Sequence, residues 1–304
     1  MVDRDPEAQA AVMTATAVRF DLDDPAALRD PYPALAALRE HEPLHVNGDG
    51  SYLVTRYADV VAVLGDPRAV ADRPGSACEL DALPTPSVAR GLRPHVEELV
   101  DRLLDRAGDH HFDVVTDVAA ALAMEVAAPL LDRSRDVRAL LQADHLSVAD
   151  LTGNAVLALL DFPDEADRIR REPALVHCAV DEVLRYDTPM PMVLRTAAKP
   201  IELPWGLIER GSTIELSIAA ANHDPRVFAN PEQLRIARVD NPHLSFGLDR
   251  RRCIGAALAT LQCEVIISKL FERFSWIELD GFIVRKQQPG VRGLTSLPVR
   301  VIPR

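Results

Sequence analysis

The sequence predicts a mainly α-helical protein with a small β-sheet portion. Apolar residues recur at helical spacing over several long stretches, among them residues 92–106 and 174–186. Alternating stretches typical of strands are short and lie at 51–57, between 193 and 218, and in the tail. Because the helical stretches are long and the alternating ones brief, helices should form most of the fold.

Proline and glycine mark the helix boundaries in the first two thirds of the chain. A proline stands near the start of the first predicted helix, and residues 72–91 are rich in Pro, Gly and Ser, which predicts a loop. A polar helix begins at Pro163, and the amphipathic helix after it stops before Pro189. The predicted helices cover residues 32–41, 58–66, 92–106, 113–131, 137–160, 163–173 and 174–186.

The last third combines strands, a loop-rich meander and one long helix. Strands are predicted at 193–199 and within 201–218, and three prolines between Asp224 and His243 predict the meander. A helix is expected from Cys253 to about Phe274, followed by a closing strand at 293–303. The sequence contains no internal repeat and no long linker, so we expect a single domain over residues 1–304.

Composition and charge exclude some classes of function. The net charge is −12, which argues against a general nucleic-acid surface because such a surface needs a basic stripe. No apolar run approaches the ~20 residues that span a bilayer. The first twenty residues carry early acids and no apolar core, so they do not resemble a secretory signal. We therefore expect a cytoplasmic protein without membrane or nucleic-acid partners.

The four cysteines raise the question of reactivity. No Cys-x-x-Cys pair occurs, so a zinc ribbon or a thioredoxin-like site is not expected, and neither is a disulfide framework in a chain of this length. Cys78, Cys178 and Cys263 are expected to be buried apolar residues. Cys253 differs, because three arginines precede it and a run of small residues at helical spacing follows it.

The position of Cys253 favours a thiolate. The unpaired N–H groups of a helix N-terminus and the neighbouring arginines both stabilise the charged sulfur. Three interpretations stay open on this stretch alone. Cys253 is a nucleophile with His243 as its base, or it is the ligand of a haem iron, or it is a structural residue.

Several ordered motifs resemble the cytochrome P-450 superfamily. Residues 246–259, FGLDRRRCIGAALA, are similar to its haem-binding loop, F-G-x-G-x-[H/R]-x-C-x-G-x-x-L-A. Upstream, EVLR at 182–185 matches the Glu-x-x-Arg motif, and the stretch that ends at Arg195, the meander and the segment with His243 follow in the family's order. The resemblance covers residues 25–75 and 92–304 and implies a cytochrome P-450 fold.

The resemblance assigns roles to individual residues. It implies that Cys253 is the axial ligand of a haem b, that Phe246 shields the sulfur, and that Gly247 and Gly255 belong to the cofactor-binding loop. The haem propionates would be bound by charge-assisted hydrogen bonds from Arg195, His243 and Arg251.

Glu182 and Arg185 are implied to be structural. Three residues apart on one helix face, they would form an ion pair that fixes the meander. The family often supplies a third member at the position of Gln233, for which Arg235 or Arg238 could substitute. The alternative is an ordinary surface pair worth well under ~1 kcal/mol.

The run Arg250, Arg251 and Arg252 would lie on the proximal face of the haem. Such a basic patch can steer an acidic electron carrier, such as a ferredoxin. The alternative interpretation is that two of the three arginines are merely solvated.

The long central helix departs from the family pattern. Its A-G-x-[E/D]-T motif corresponds here to residues 143–147, so that Asp144 replaces the glycine, Leu146 the acid and Ser147 the alcohol. Leucine cannot relay a proton, which puts ordinary oxygen activation in question. Ser147 and Asp144 are the candidate catalytic residues. For Asp144 and His145, a compensating proton relay and a solvated polar role both stay open.

Two further departures concern length and one loop residue. Residues 72–91 and 131–139 are shortened relative to the family, so part of the distal lid helices is expected to be missing. An open distal pocket would suit a large or carrier-bound substrate as well as a small molecule. Asp249 stands where the loop usually has a glycine and is expected to adopt a positive φ, which Asp tolerates well.

The function implied by the resemblance is that of a haem-thiolate oxidoreductase. It would be a monooxygenase or a peroxide-driven oxidase, in natural-product biosynthesis. The alternative is a haem-deficient auxiliary protein that binds and activates a partner enzyme such as a glycosyltransferase. The retained Cys253 favours the first, whereas the missing acid and the missing lid favour the second.

Overall fold

The computed structural model describes residues 29–71, 86–131, 135–249, 252–253, 255–288 and 290–304. The described α-helices are α1 (Tyr32–His41), α2 (Tyr57–Gly65), α3 (Pro86–Ala107), α4 (Ala120–Leu131), α5 (Arg135–Asp161), α6 (Pro163–Arg171), α7 (Val176–Tyr186), α8 (Ile218–Asn222) and α9 (Ala256–Arg273). A π-helical turn, Val114–Ala119, precedes α4, and a 3₁₀ turn, Pro173–Leu175, precedes α7.

The strands are short and belong to four small sheets. They are β1 (Leu44–Val46), β2 (Tyr52–Val54), β3 (Ala69–Val70), β4 (His111–Asp113), β5 (Met192–Ala197), β6 (Ile201–Leu203), β7 (Gly206–Ile208), β8 (Thr213–Ser217), β9 (Phe274–Leu279), β10 (Val284–Arg285), β11 (Leu294–Ser296) and β12 (Pro298–Pro303). The mainly α-helical class with a small β-sheet portion is thus confirmed.

Two predicted boundaries are wrong. The loop predicted at 72–91 is helical from residue 86, because proline is well tolerated in the first turn and α3 starts at Pro86; residues 72–85 lie outside the described residues. The helix predicted to begin at Cys253 starts at Ala256 instead. The predicted helices at 32–41 and 137–160 are confirmed, the second as the longer α5.

The largest sheet places strand β5 in its interior. Its order is β1-β2-β8-β5-β3, with β2 and β8 parallel and the other neighbours antiparallel. Within it, Arg195 of β5 lies opposite Ile214 of β8. The C-terminal strand β12 lies between β4 and β9 in a second sheet, which confirms the predicted closing strand.

Helix α5 runs through the main hydrophobic core. Every residue from 148 to 159 is buried, which is expected of a helix that has protein on all sides. The core around it also draws on α3, α7 and α9. A second, smaller core fills the space between the five-stranded sheet and α2.

Within the described residues, none of the helices combines the length and the apolar character that crossing a bilayer would require. The cytoplasmic location stays a prediction.

A buried carboxylate fastens the β10–β11 hairpin to α5. Asp150 is 1% exposed, and its Oδ1 lies 2.7 Å from Nζ of Lys286. Gly293 leaves the space that this carboxylate occupies, because a Cβ at position 293 would lie 1.9 Å from Asp150 Oδ1. One turn further along α5, Asn154 donates hydrogen bonds to the carbonyls of Asp187 and Arg292.

We expect Gly293→Ala to lower the free energy of unfolding by about 1–3 kcal/mol, since the added methyl group must displace a buried, paired carboxylate. Chemical denaturation followed by circular dichroism measures this loss. Gly65→Ala is the matched control, because a Cβ at position 65 meets nothing within 4 Å. Equal stability of the two variants would contradict the packing described for the hairpin.

Candidate functional site

A closed loop presents the thiol of Cys253. The backbone N–H of Cys253 donates to the carbonyl of Phe246 at 2.6 Å, which joins the two ends of the 246–253 segment. Gly247 and Asp249 turn the chain with φ angles of 73° and 47°. The predicted positive φ of Asp249 is therefore confirmed. The loop leaves Cys253 exposed.

Two hydrophobic cores hold this loop in place. Phe246 packs against the main core and Leu248 against the core beneath the five-stranded sheet. Both side chains are partly buried, so the loop is anchored on two sides by apolar contacts. Cys253 is therefore exposed on a loop that Phe246 and Leu248 anchor to the two cores.

Cys253 lies ahead of helix α9 and does not open it. The carbonyl of Gly255 accepts the N–H of Ala259 at 2.9 Å, and this is the first helical hydrogen bond. The helix therefore starts at Ala256, whose N–H donates to the Cys253 carbonyl at 3.3 Å. Arg252 is exposed, whereas Arg250 and Arg251 lie outside the described residues.

Arg195 lies in strand β5. Its side chain is half-buried, and Nη1 donates to the carbonyl of Leu194 at 2.7 Å. Successive strand residues point to opposite sides, so Arg195 shares a side with Val193 while Leu194 faces the other. Leu194 is 50% exposed, which is unusual for an apolar residue inside a sheet.

His243 lies beside the cysteine loop. Its ring centroid is 6.0 Å from that of Phe246, and its side chain is only 10% exposed. Nδ1 accepts the backbone N–H of Ser245 at 3.3 Å, so in the neutral ring the proton belongs on Nε2. Nε2 faces Asp181 Oδ1 at 3.8 Å.

A network of basic and acidic side chains extends from His243 across α7. The second oxygen of Asp181 lies 3.7 Å from Nε2 of His177, and Nδ1 of His177 lies 2.7 Å from Glu264. Glu264 also pairs with Arg93. The hydrogen bond to Glu264, assisted by the charge of Asp181, raises the pKa of His177. Sequence patterns do not reveal this network, because its members come from α3, α7, α9 and the segment that holds His243.

Glu182 and Arg185 form a buried ion pair. Both side chains are fully buried, and two hydrogen bonds of 2.9 Å join the guanidinium to the carboxylate. The alternative of a surface pair is therefore wrong. Arg238 is the third member, with Nε at 3.2 and 3.0 Å from the two oxygens of Glu182. Gln233 contributes its backbone carbonyl to Arg185 instead.

Two uncharged residues connect this ion pair to the site, and the sequence did not single them out. Asn222 accepts the N–H of Leu244 at 2.8 Å and donates to Ser245 Oγ at 2.9 Å. Ser245 Oγ in turn donates to the carbonyl of Leu184 at 2.6 Å, on the helix that carries the pair. The segment between His243 and Phe246 is thereby hydrogen-bonded to α7.

The candidate catalytic residues of the central helix lie on α5. Ser147 is half-buried and is followed by the fully buried stretch of that helix. The backbone of Asp144 is helical, but its side chain, like those of His145 and Leu146, lies outside what the structure describes. Their roles in a proton relay stay predictions.

The remaining cysteines divide into two environments. Cys263 is buried, as predicted, and burial raises the pKa of its thiol to about 12. Cys178 is exposed, so the prediction of a buried residue is wrong; it lies on the solvent side of α7. Cys78 lies outside the described residues.

Comparison with known proteins gives these motifs a family. The family model described as Cytochrome P450 matches residues 168–301. A biotin biosynthesis cytochrome P450 of Bacillus subtilis is 38% identical over 158 residues, which are 52% of this chain and 40% of the relative. Cytochrome P450 107B1 of Saccharopolyspora erythraea is 27% identical over 391 residues, which cover 91% of this chain and 96% of the relative.

Some of the matches cover only part of the relative, and one extends over almost its whole length. The chain spans about two fifths of the length of the first curated relatives it matches. The alignment of 391 positions is longer than the 304 residues of the chain, so the Saccharopolyspora relative contains segments that this chain lacks.

Solved structures share the fold. The crystal structure of CalO2 matches with a TM-score of 0.83 and 26% identity, covering 94% of this chain and 100% of that one. A structure of P450BioI in complex with an acyl carrier protein matches with a TM-score of 0.83 and 24% identity, covering 91% and 100%. The family model, the relatives and the fold of these structures together support membership of the cytochrome P450 superfamily.

Removing one partner of the buried ion pair should destabilise the protein strongly. We expect Arg185→Leu to cost about 3–5 kcal/mol of unfolding free energy, because it leaves the Glu182 carboxylate charged and buried. Urea denaturation gives the value. Arg102→Leu breaks an exposed pair with Glu98 and should cost under about 1 kcal/mol. A loss at position 185 no larger than at position 102 would refute the structural role.

Proposed function

We propose that this protein is a haem-thiolate oxidoreductase in which Cys253 provides the iron ligand. The observation that carries the proposal is the closed 246–253 loop, which exposes a thiol after the anchored side chains of Phe246 and Leu248. Membership of the cytochrome P450 superfamily supports it. The reaction class we propose is that of a monooxygenase or a peroxide-driven oxidase.

The donor set fits a haem iron better than a bare metal ion. Within the described part of the chain, no group of three or more His, Cys, Asp or Glu side chains could hold a metal ion. A haem needs only one strong protein ligand, since the porphyrin supplies four others. A lone exposed thiol meets that need, whereas a structural zinc ion requires four ligands.

The residues around Cys253 have complementary roles in the proposal. Arg195 and His243, together with Arg251, would bind the propionates of a haem b through charge-assisted hydrogen bonds. Phe246 would shield the sulfur from water, and Gly247, with its positive φ, would let the loop turn closely around it. Gly255 would belong to the same cofactor-binding loop. When bound, a thiolate-ligated haem supplies oxidising chemistry, because the thiolate favours O–O cleavage.

We propose a substrate that is large or attached to a carrier, in natural-product biosynthesis. Leu194 and Met190 are 50% and 43% exposed, on the segment that leads into Arg195, and would offer an apolar surface to such a substrate. The relatives reported include one named for biotin biosynthesis, and P450BioI was crystallised with an acyl carrier protein carrying a fatty acid. A polyketide biosynthesis cytochrome P450 of Bacillus subtilis is also 38% identical, over half of the chain.

The electron donor we propose is an acidic carrier of the ferredoxin type. Arg252 is exposed next to Cys253, where a basic surface would steer such a carrier. The relatives reported above are named as cytochromes P450, which leaves the auxiliary-protein alternative without support. We therefore do not carry that alternative forward.

Haem binding through Cys253 has a direct spectroscopic test. The purified chain, reconstituted with hemin, reduced and exposed to carbon monoxide, should show the Soret band of a thiolate-ligated haem. Cys253→Ala should abolish this band and leave the far-ultraviolet circular dichroism unchanged, because the side chain is exposed.

The control for this test is Cys178→Ala, which removes the other exposed thiol described and should keep the band. A Cys253→Ala protein with an unchanged spectrum would disprove the ligand assignment. A chain that takes up no haem would disprove the proposed function.

A further inference from the structure

A cleft lies apart from the cysteine loop. It has a volume of about 490 Å³ and is bordered by α1, the C-terminal ends of α5 and α7, and the β10–β11 hairpin. None of its lining residues belongs to the segment from His243 to Gly255. The volume falls within the range of about 300–1,000 Å³ that is typical of small-molecule sites.

Apolar residues form one side of the cleft. They come from two helices and are Pro33, Ala36, Leu157 and Ala158. Small apolar surfaces of this kind accept an aliphatic or aromatic group and release water from it. The rest of the lining is dominated by charged side chains.

The charges on the hairpin are not evenly compensated. Asp187 is 5% exposed, and its carboxylate pairs with Nε of Arg292 and accepts the hydroxyl of Tyr32 at 3.1 Å. Arg285 shares the same carboxylate at the longer distance of 3.6 Å. Its Nη1 is buried without a hydrogen-bond acceptor among the described residues. Arg285 is therefore the guanidinium in the cleft that needs a further acceptor.

Asp161 is an exposed acid in the lining of the same cleft. Asp161 is the last residue of α5 and lines the cleft, but no described residue forms a hydrogen bond or an ion pair with it. Partial burial raises the pKa of Asp161, and the charge of Arg285 acts in the opposite direction. Arg285 and Asp161 thus line the same cleft, and the attraction between their charges opposes the effect of burial on the Asp161 carboxyl.

We propose that this cleft binds a small zwitterion, an α-amino acid with an apolar side chain. Its carboxylate binds Arg285, its ammonium group binds Asp161, and its side chain lies against Leu157 and Ala158. An anion alone would meet the acids of the lining, which are Asp30, Asp161, Asp187 and Glu232. A cation alone would leave Arg285 without an acceptor.

Three probes of one shape separate these ligand classes. L-phenylalanine carries both charges, 3-phenylpropionate only the negative one and phenethylamine only the positive one. Isothermal titration of the full chain should show L-phenylalanine binding at least about tenfold more tightly than either of the others, because each charge forms one charge-assisted hydrogen bond. Absence of L-phenylalanine binding up to its solubility limit, or equal binding of a singly charged probe, overturns the proposal.

Variants locate the binding site. Asp161→Asn and Arg285→Gln should each weaken L-phenylalanine binding about tenfold or more. Asp164→Asn and Arg210→Gln make the same charge changes at exposed positions outside the cleft and should bind like the original chain. Undiminished binding by Asp161→Asn overturns the proposal, and circular dichroism verifies that each variant is folded.

A further variant distinguishes binding in the cleft from binding at the haem site. Cys253→Ala should bind L-phenylalanine as tightly as the original chain, since no residue of the cysteine loop lines the cleft. Loss of binding in this variant would place the amino acid at the cysteine site and would overturn the proposal. The result does not depend on whether the chain takes up haem.

Discussion

The ion pair between Glu182 and Arg185 is the constraint on which the rest of the structure depends. Two charges removed entirely from water are costly unless every donor and acceptor is satisfied. Here Glu182 accepts from Arg185, from Arg238 and from the backbone of Arg235, while Arg185 also donates to the carbonyls of Asn222, Pro231 and Gln233. Satisfying this pair therefore fixes the path of the chain from α8 through the meander, a region without regular secondary structure.

The position of the cysteine loop depends on this arrangement. Asn222 and Ser245 hydrogen-bond the segment before the loop to α7, and Phe246 and Leu248 insert into different hydrophobic cores. A reactive sulfur has to be accessible, and accessible segments are usually mobile. Anchoring Phe246 and Leu248 while leaving Cys253 exposed resolves that conflict, and the partners that anchor this segment, on α7 and in the two cores, lie far from the cysteine in sequence.

Polar contacts of the same kind fasten the segments that surround the main hydrophobic core. The buried part of α5, residues 148–159, is surrounded by α3, α7 and α9, all of which are present. Asp150, Asn154 and Asp187 tie α5 and the end of α7 to the β10–β11 hairpin, and the cleft proposed to bind an amino acid lies beside these ties. None of the residues that line this cleft belongs to the cysteine loop.

The sequence by itself determined the helices, the class of the fold and the cysteine loop, because periodicity and contiguous motifs are local properties. It also predicted the positive φ of Asp249, which depends only on the turn. The spacing of Glu182 and Arg185 could not reveal their burial, since pairs three residues apart look alike on a surface and in a core. Only the tertiary structure shows that Arg238 is the third member of the ion-pair cluster, that Cys178 is exposed, and that Arg285 and Asp161 line one cleft. These outcomes depend on which distant segments pack together, and that information is not carried by any short stretch of the chain.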